Sequence, residues 1–147
     1  MAKGIIFDWV ETLSEGSRKL FPKSEEVLRE CKSRGYVLGL ISLAGHGIRN
    51  RQDDISATGI TKYFGCIIID TQKTSDHYIQ CMEKLGIKPT HTLIVDDRTL
   101  RGISIGNTLG CKTCWIKRPK YAHEAPNKET GEPTYIIHSI EELLTII

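Results

Sequence analysis

Six short apolar runs punctuate the chain: Ile5 to Phe7, Tyr36 to Ile41, Cys66 to Ile69, Thr92 to Val95, Cys114 to Ile116 and Tyr135 to Ile137. The runs are apolar throughout and do not alternate, the pattern of strands buried on both faces. Between them lie segments with helical spacing. This alternation predicts an α/β fold, a three-layer α/β/α sandwich around a Rossmann-like parallel sheet of about five strands. Right-handed crossovers then gather every strand's carboxyl end on one edge, where such sheets bind ligands. With 147 residues and 39% hydrophobic content, residues 1–147 suit one domain around a single core.

Local signals mark the helices. Ser24 reads as an N-cap followed by Glu25 and Glu26, with Val27, Leu28 and Cys31 on one face and Gly35 as the stop. Gly47 to Thr58 reads as a helix ended by Gly59, its buried face marked by Ile48 and Ile55. Ser75 opens a third, carrying Tyr78, Ile79, Met82 and Leu85 and ended by Gly86. Leu100 to Leu109 is helical, and Gly102, Gly106 and Gly110 at spacing four let it lie close to a sheet. Ser139 with Glu142 forms a capping box for a terminal helix with Ile140, Leu143, Leu144 and Ile147 on one face. Residues 14–22 read as an irregular excursion.

Composition excludes several classes. The charge of +2 arises from 20 basic and 18 acidic residues without a dense basic stripe, so no nucleic-acid partner is expected. Five cysteines, an odd number set mostly in apolar runs, do not make a secreted disulfide framework. No apolar run approaches the ~20 residues of a membrane span, and the start MAKGIIFDW turns acidic too early for a signal peptide. A cytoplasmic, soluble protein is expected. Cys111 and Cys114 have no second pair to complete a zinc site, and Gly45 and Gly47 are followed by Asn50 where a dinucleotide loop needs glycine.

The strand ends carry the chemistry. Asp8 follows the first run, Ser42 the second, and Asp96 and Asp97 the fourth, while Lys73 lies beyond the third. Alone, Asp8 could be a nucleophile, a metal ligand or a helix cap. Gathered on one edge, carboxylates from two strand ends can share a hard divalent cation such as Mg2+. Ser42, the backbone N–H groups after it and Lys73 offer donors and a point charge to phosphate oxygens. The long polar loop 117–133 leaves from the same edge. It is expected to act as a lid, with Lys117, Arg118, Lys120 or His123 approaching the substrate.

Four stretches in order, FDxxxTL (Phe7 to Leu13), LISLAG, QKTSDHYIQCMEKLGI and LIVDDRTLRGISIGNTLG, resemble the haloacid dehalogenase superfamily. The resemblance implies that Asp8 forms an aspartyl-phosphate intermediate and that Lys73 neutralises nucleophile and phosphate. Thr12, Ser42 and Leu43 would bind the substrate phosphate. Mg2+ would be held by Asp8, the Val10 carbonyl, Asp97 and Asp96. Two departures stand out. Val10 occupies the place of the phosphatases' general acid, a loss of typically about 10² to 10⁴ in rate. Arg101 and Gly102 stand where a further acidic residue often follows. Glu11 replaces a usual glycine and would be a surrogate acid only if the turn aims it at the substrate. The intervals between stations leave no room for an inserted cap, so specificity must come from loops or a partner subunit. The expected function is magnesium-dependent hydrolysis of a phosphate ester or acyl phosphate, weak and best on good leaving groups. The alternative is a non-catalytic phosphate-binding or protein-interaction module. The expected partner is a small phosphorylated molecule, or a macromolecular one, and an oligomer is compatible with the sequence.

Overall fold

The structure is a computed structural model that describes residues 3–147; residues 1 and 2, the start of the MAKGIIFDW stretch, lie outside them. One parallel sheet organises the chain. It contains β1 (Gly4–Phe7), β4 (Val37–Leu43), β5 (Cys66–Asp70), β6 (Thr92–Asp96), β7 (Lys112–Ile116) and β8 (Tyr135–Ile137), in the order β5-β4-β1-β6-β7-β8. The sheet thus has six strands, because the short run at Tyr135 pairs with β7 as a full member. Strand order runs outward from β1 in both directions. β1 is therefore flanked by β4 and β6, and the crevice between their carboxyl ends is the switch point of the topology.

The two faces are packed separately. On one, Ile5, Phe7, Leu38, Leu40, Leu93 and Val95 meet Val27, Leu28 and Cys31 of α1 (Ser24–Ser33), Ile55 of α2 (Ile48–Ala57), and Ile140 and Leu143 near the C-terminus. On the other, Ile6, Ile41 and Ile94 meet Tyr78, Cys81 and Met82 of α3 (Ser75–Leu85). Consecutive β1 side chains alternate between these clusters, so a strand with no polar position is what the sandwich requires.

Several local expectations shift. Residues 14–22 contain an antiparallel hairpin, β2 (Ser14–Gly16) with β3 (Lys19–Leu20), instead of irregular chain. Ser24 is the first helical residue of α1, not its cap; Lys23 takes that position with φ 75, and the Ser24 hydroxyl donates to the Leu13 carbonyl at 2.8 Å. Thr74, not Ser75, caps α3, in a box closed by His77. Ile48 and Ile79 are exposed, leaving Ile55 and Cys81 to face the core. The terminal segment Ile140–Thr145 is a 3₁₀ helix. Its Ser139 hydroxyl donates to Glu142, but no side chain caps the helical N–H groups. Arg34 instead reaches across to the Leu144 and Ile147 carbonyls at 2.8 and 3.2 Å.

The segment after β6 departs most from a regular helix. Thr99–Ile103 is a π-helical turn running into α4 (Ser104–Leu109). Of the three spaced glycines, Gly102 packs against the Asp96 carboxylate and Gly106 against Ile94 and Thr113, whereas Gly110 meets nothing and ends α4 in the left-handed conformation. A Cβ on Gly106 would lie 2.6 Å from Thr113 Cγ2 and 2.9 Å from Ile94 Cδ1. Gly106→Ala is expected to lower the unfolding free energy by about 1–3 kcal/mol through overpacking, read from the urea midpoint at unchanged slope.

Candidate active site

Asp8 leaves β1 at the switch point, its N–H still donating to the Val95 carbonyl at 3.0 Å. The chain then coils tightly. The N–H groups of Thr12, Leu13 and Ser14 converge on the Trp9 carbonyl at 3.2, 2.9 and 3.0 Å, and Glu11 adopts φ 65 to close the turn. Both Asp8 oxygens acquire partners: Lys73 Nζ donates to Oδ1 at 2.7 Å and the Thr12 hydroxyl to Oδ2 at 3.1 Å. From the loop after β7, Arg118 braces the turn by donating to the Glu11 and Thr12 carbonyls at 3.2 and 3.0 Å, while its guanidinium covers Phe21.

Lys73 comes from the loop between β5 and α3. Its side chain is 2% exposed, and Nζ reaches Asp96 Oδ2 at 3.4 Å as well as Asp8. The loop is clasped at its base. His77 Nδ1 accepts the Thr74 N–H at 3.0 Å, which leaves Nε2–H to donate to Asp70 at 2.9 Å. Asp70 also accepts the Thr71 N–H at 2.7 Å; that bond, with the one from His77, holds its carboxyl below the usual range.

Asp96 and Asp97 complete the cluster. Oxygens of Asp8, Asp96 and Asp97 lie within 4.8 Å of one another. Asp96 is held from the protein side, accepting the Arg98 N–H and the Gly102 N–H at 3.0 Å each. That second bond is why residue 102 is glycine: a Cβ there would overlap the Asp96 carboxylate. Asp97 is fixed through its backbone carbonyl, which accepts the Trp115 indole N–H at 2.9 Å.

Electrostatics separates the three carboxylates. Burial works to raise Asp8, but the Lys73 charge and hydrogen bonds from Asp97, Lys73 and the backbone override it, leaving Asp8 below the ordinary range. Burial and the Asp8 charge raise Asp96 despite Lys73. Asp97, buried and facing both other carboxylates, is pushed up to about 10. Lys73 stays charged: burial opposes the ammonium, yet Asp8 and Asp96 raise it well above its usual value. One ammonium among three carboxylates leaves a donor set of hard oxygens that fits a divalent cation, with Asp97 carrying the proton a cation would displace.

A cleft of about 200 Å³ opens above Asp8. Asp8, Val10, Ser42, Leu43, Asp96 and Asp97 line it together, as the sequence predicted. Thr12, expected at the substrate phosphate, instead is fully buried beneath Asp8 and holds its carboxylate. Lys73 lies behind Asp8, within reach of its oxygen. The loop 117–133 is tied down at several points, an arrangement unlike a free lid. Glu124 pairs with Arg98 and accepts the Thr99 hydroxyl at its carbonyl, and Asn107 donates to the Thr130 and Glu132 carbonyls. Of its expected contacts, Lys120 lines the cleft while Arg118 braces the turn. Arg51, Arg98 and Tyr121 also line the cleft, unmarked by any motif. Only the placement of α2 and of two loops beside the switch point brings them there.

The comparisons with known proteins agree with this geometry. The family described as haloacid dehalogenase-like hydrolase matches residues 1–116. Glyceraldehyde 3-phosphate phosphatase of Methanopyrus kandleri is 25% identical over 135 residues, covering 88% of this chain and 57% of that protein. Pyrophosphatase PpaX of Oceanobacillus iheyensis is 29% identical over 136 residues, covering 86% and 59%. The chain thus spans little more than half the length of these relatives. An uncharacterized protein from Listeria monocytogenes serotype 4b shares the fold over 99% of both chains with a TM-score of 0.75 at 17% identity. Among the described residues, the stretches between Leu13 and Ser42 and between Ser42 and Lys73 hold only the hairpin, α1, β4, α2, a 3₁₀ turn and β5, with no inserted domain. No described helix is long and apolar enough to cross a membrane.

The raised Asp97 carboxyl has a sign. Its pKa lies at about 10 in the fold and near the ordinary 3.8 in the unfolded chain, so the stability it contributes is full below that lower value and is lost as the pH rises toward the upper one. The lowered Asp8 acts oppositely, but only in the acid range below its ordinary value. In chelator, the melting temperature is expected to fall from about pH 5 to about pH 8, and Asp97→Asn to reduce that fall. Thermal melts of both proteins across this window make the comparison.

Proposed function

The chain belongs to the haloacid dehalogenase-like hydrolase family, and on that premise we propose that it is a magnesium-dependent phosphohydrolase working through an aspartyl phosphate on Asp8. The observation that carries this reading is the Asp8 carboxylate itself. It faces the cleft, is kept ionised, and is gripped from behind by a buried ammonium and a buried hydroxyl. The relatives named as phosphatase and pyrophosphatase support the same reaction class.

Asp8 attacks the phosphorus of the bound ester or acyl phosphate. The bond to the leaving-group oxygen breaks and its electron pair departs with that oxygen. Water then attacks the phosphorus of the aspartyl phosphate, expelling the Asp8 carboxylate and releasing inorganic phosphate. Lys73 stays protonated throughout and offsets charge on Asp8 and the transferring group. Ser42, 3% exposed on the cleft wall, and the backbone beside Leu43 receive phosphate oxygens. Magnesium would be held by Asp8, Asp97 and the Val10 carbonyl, with Asp96, the third carboxylate of the cluster, also holding Lys73 and the π-helical turn in place. It would supply positive charge to offset that of the transferring phosphoryl group.

Val10 sets the rate. Its side chain lines the cleft but can neither give nor take a proton, so the leaving group must depart unprotonated or draw a proton from water. Aryl and acyl phosphates therefore suit the site better than alkyl esters. With magnesium, 4-nitrophenyl phosphate and acetyl phosphate are expected to be hydrolysed, and Asp8→Asn or chelation to remove the activity. Val10→Asp is expected to raise turnover of alkyl phosphates by about 10-fold or more, with a smaller gain for aryl phosphates. If the wild type shows no turnover above Asp8→Asn, the chain is a phosphate-binding or interaction module instead.

A further inference from the structure

The floor of the cleft is provided for phosphoryl transfer by Asp8, Lys73, Ser42 and the carboxylate cluster. Its mouth is built differently. Arg51 of α2, Arg101 of the π-helical turn and Lys120 of the loop after β7 line the same cleft. Among the described residues none of these three side chains makes an ion pair. Arg98, the fourth cation on the rim, is already engaged by Glu124 and lies over the Tyr121 ring at 3.8 Å.

Their placement follows from the sheet. Arg51 stands after β4 and Arg101 after β6, the two neighbours of β1, so the guanidinium groups flank the Asp8 cleft from opposite sides. Arg51 packs against Gly45, occupying the space that a Cβ would fill beyond the Ser42–Leu43 wall. Arg101 follows directly on the turn whose Gly102 N–H anchors Asp96. Lys120 approaches from β7, one strand beyond β6. Apolar lining is limited to Val10, Leu43 and the ring of Tyr121. Unpaired guanidinium groups in a concave wall are strong receptors for carboxylate or phosphate, because they offer forked donors and little competing protein charge.

We propose that the substrate carries a second anionic group, a carboxylate or a phosphate, on its leaving group, and that Arg51, Arg101 and Lys120 hold it. The inference rests on the reading of Asp8 as phosphoryl acceptor. Outside the three-aspartate cluster, Glu11 is the one acid among the lining residues.

The test compares phenyl phosphate with 3-carboxyphenyl phosphate, phenolic esters of similar leaving ability that differ by one carboxylate. With magnesium, kcat/KM is expected to favour the carboxylated ester by about tenfold or more, the value of one charge-assisted hydrogen bond. Arg51→Gln combined with Arg101→Gln should bring that preference close to parity. Arg29→Gln, which removes one exposed charge on α1 outside the cleft, should leave it in place. Equal kcat/KM for the two esters in the wild type, or a preference that survives in the double variant, overturns the proposal. If neither ester is hydrolysed above Asp8→Asn, the hydrolase reading fails while the second anion is still decided by binding. 2-Phosphoglycolate must then raise the melting temperature more than ethyl phosphate at equal concentration, and equal shifts overturn it. Comparing kcat/KM, or melting shifts, for 2-phosphoglycolate and pyrophosphate distinguishes a carboxylate from a phosphate in the mouth.

Discussion

The ammonium of Lys73, 2.7 Å from Asp8 and 3.4 Å from Asp96, is the interaction on which the functional edge depends. Three carboxylates cannot crowd together in a buried position without compensation, and burial together with repulsion from Asp8 and Asp96 pushes Asp97 up to about 10. Among the described residues, Lys73 is the cation that pairs directly with Asp8 and Asp96. Because its side chain and that of Asp96 are nearly inaccessible, removing it would strand buried charge, a loss on the order of 3–5 kcal/mol. The remaining excess of carboxylate oxygens is the feature on which the proposed magnesium site rests.

Rigidity at this edge comes from loop-to-loop bonds more than from the sheet. Asp70 and His77 clasp the loop that carries Lys73, Arg118 pins the turn that follows Asp8, and Glu124 ties Arg98 to the loop 117–133. Each bond satisfies backbone or charged groups that would otherwise face a crowded, partly desolvated cleft. The loop 117–133 thus acts as a brace that also delivers Lys120 and Tyr121 to the rim. An aspartate held at both oxygens keeps little side-chain freedom, which is the physical consequence of building the first turn so tightly.

Much of this was legible along the chain. Apolar runs located the six strands of the sheet within a few residues, most clearly β1 and β6, which are buried on both faces. Asp8, Ser42, Asp96 and Asp97 were legible as strand-end residues, and right-handed topology is enough to bring them to one edge. Less legible were features set by competition between local and distant partners. Ser24 has every property of an N-cap, yet its hydroxyl goes to Leu13. Gly102 belongs to a close-packed helix by its spacing, but its N–H serves the Asp96 carboxylate through a π-helical turn. Thr12 carries no local sign that its hydroxyl is buried and donated to Asp8.

By itself, then, the sequence determined the α/β architecture, the register of polar residues at strand ends and the absence of a proton-transfer side chain at Val10. These are properties of short stretches, readable from periodicity and residue chemistry. Tertiary structure alone decided that Arg51, which no motif marks, shares one cleft with Asp8, Arg101 and Lys120. It also decided which oxygen of each carboxylate is already taken. Both depend on how helices and loops settle against a twisted sheet, and no local pattern encodes that distance.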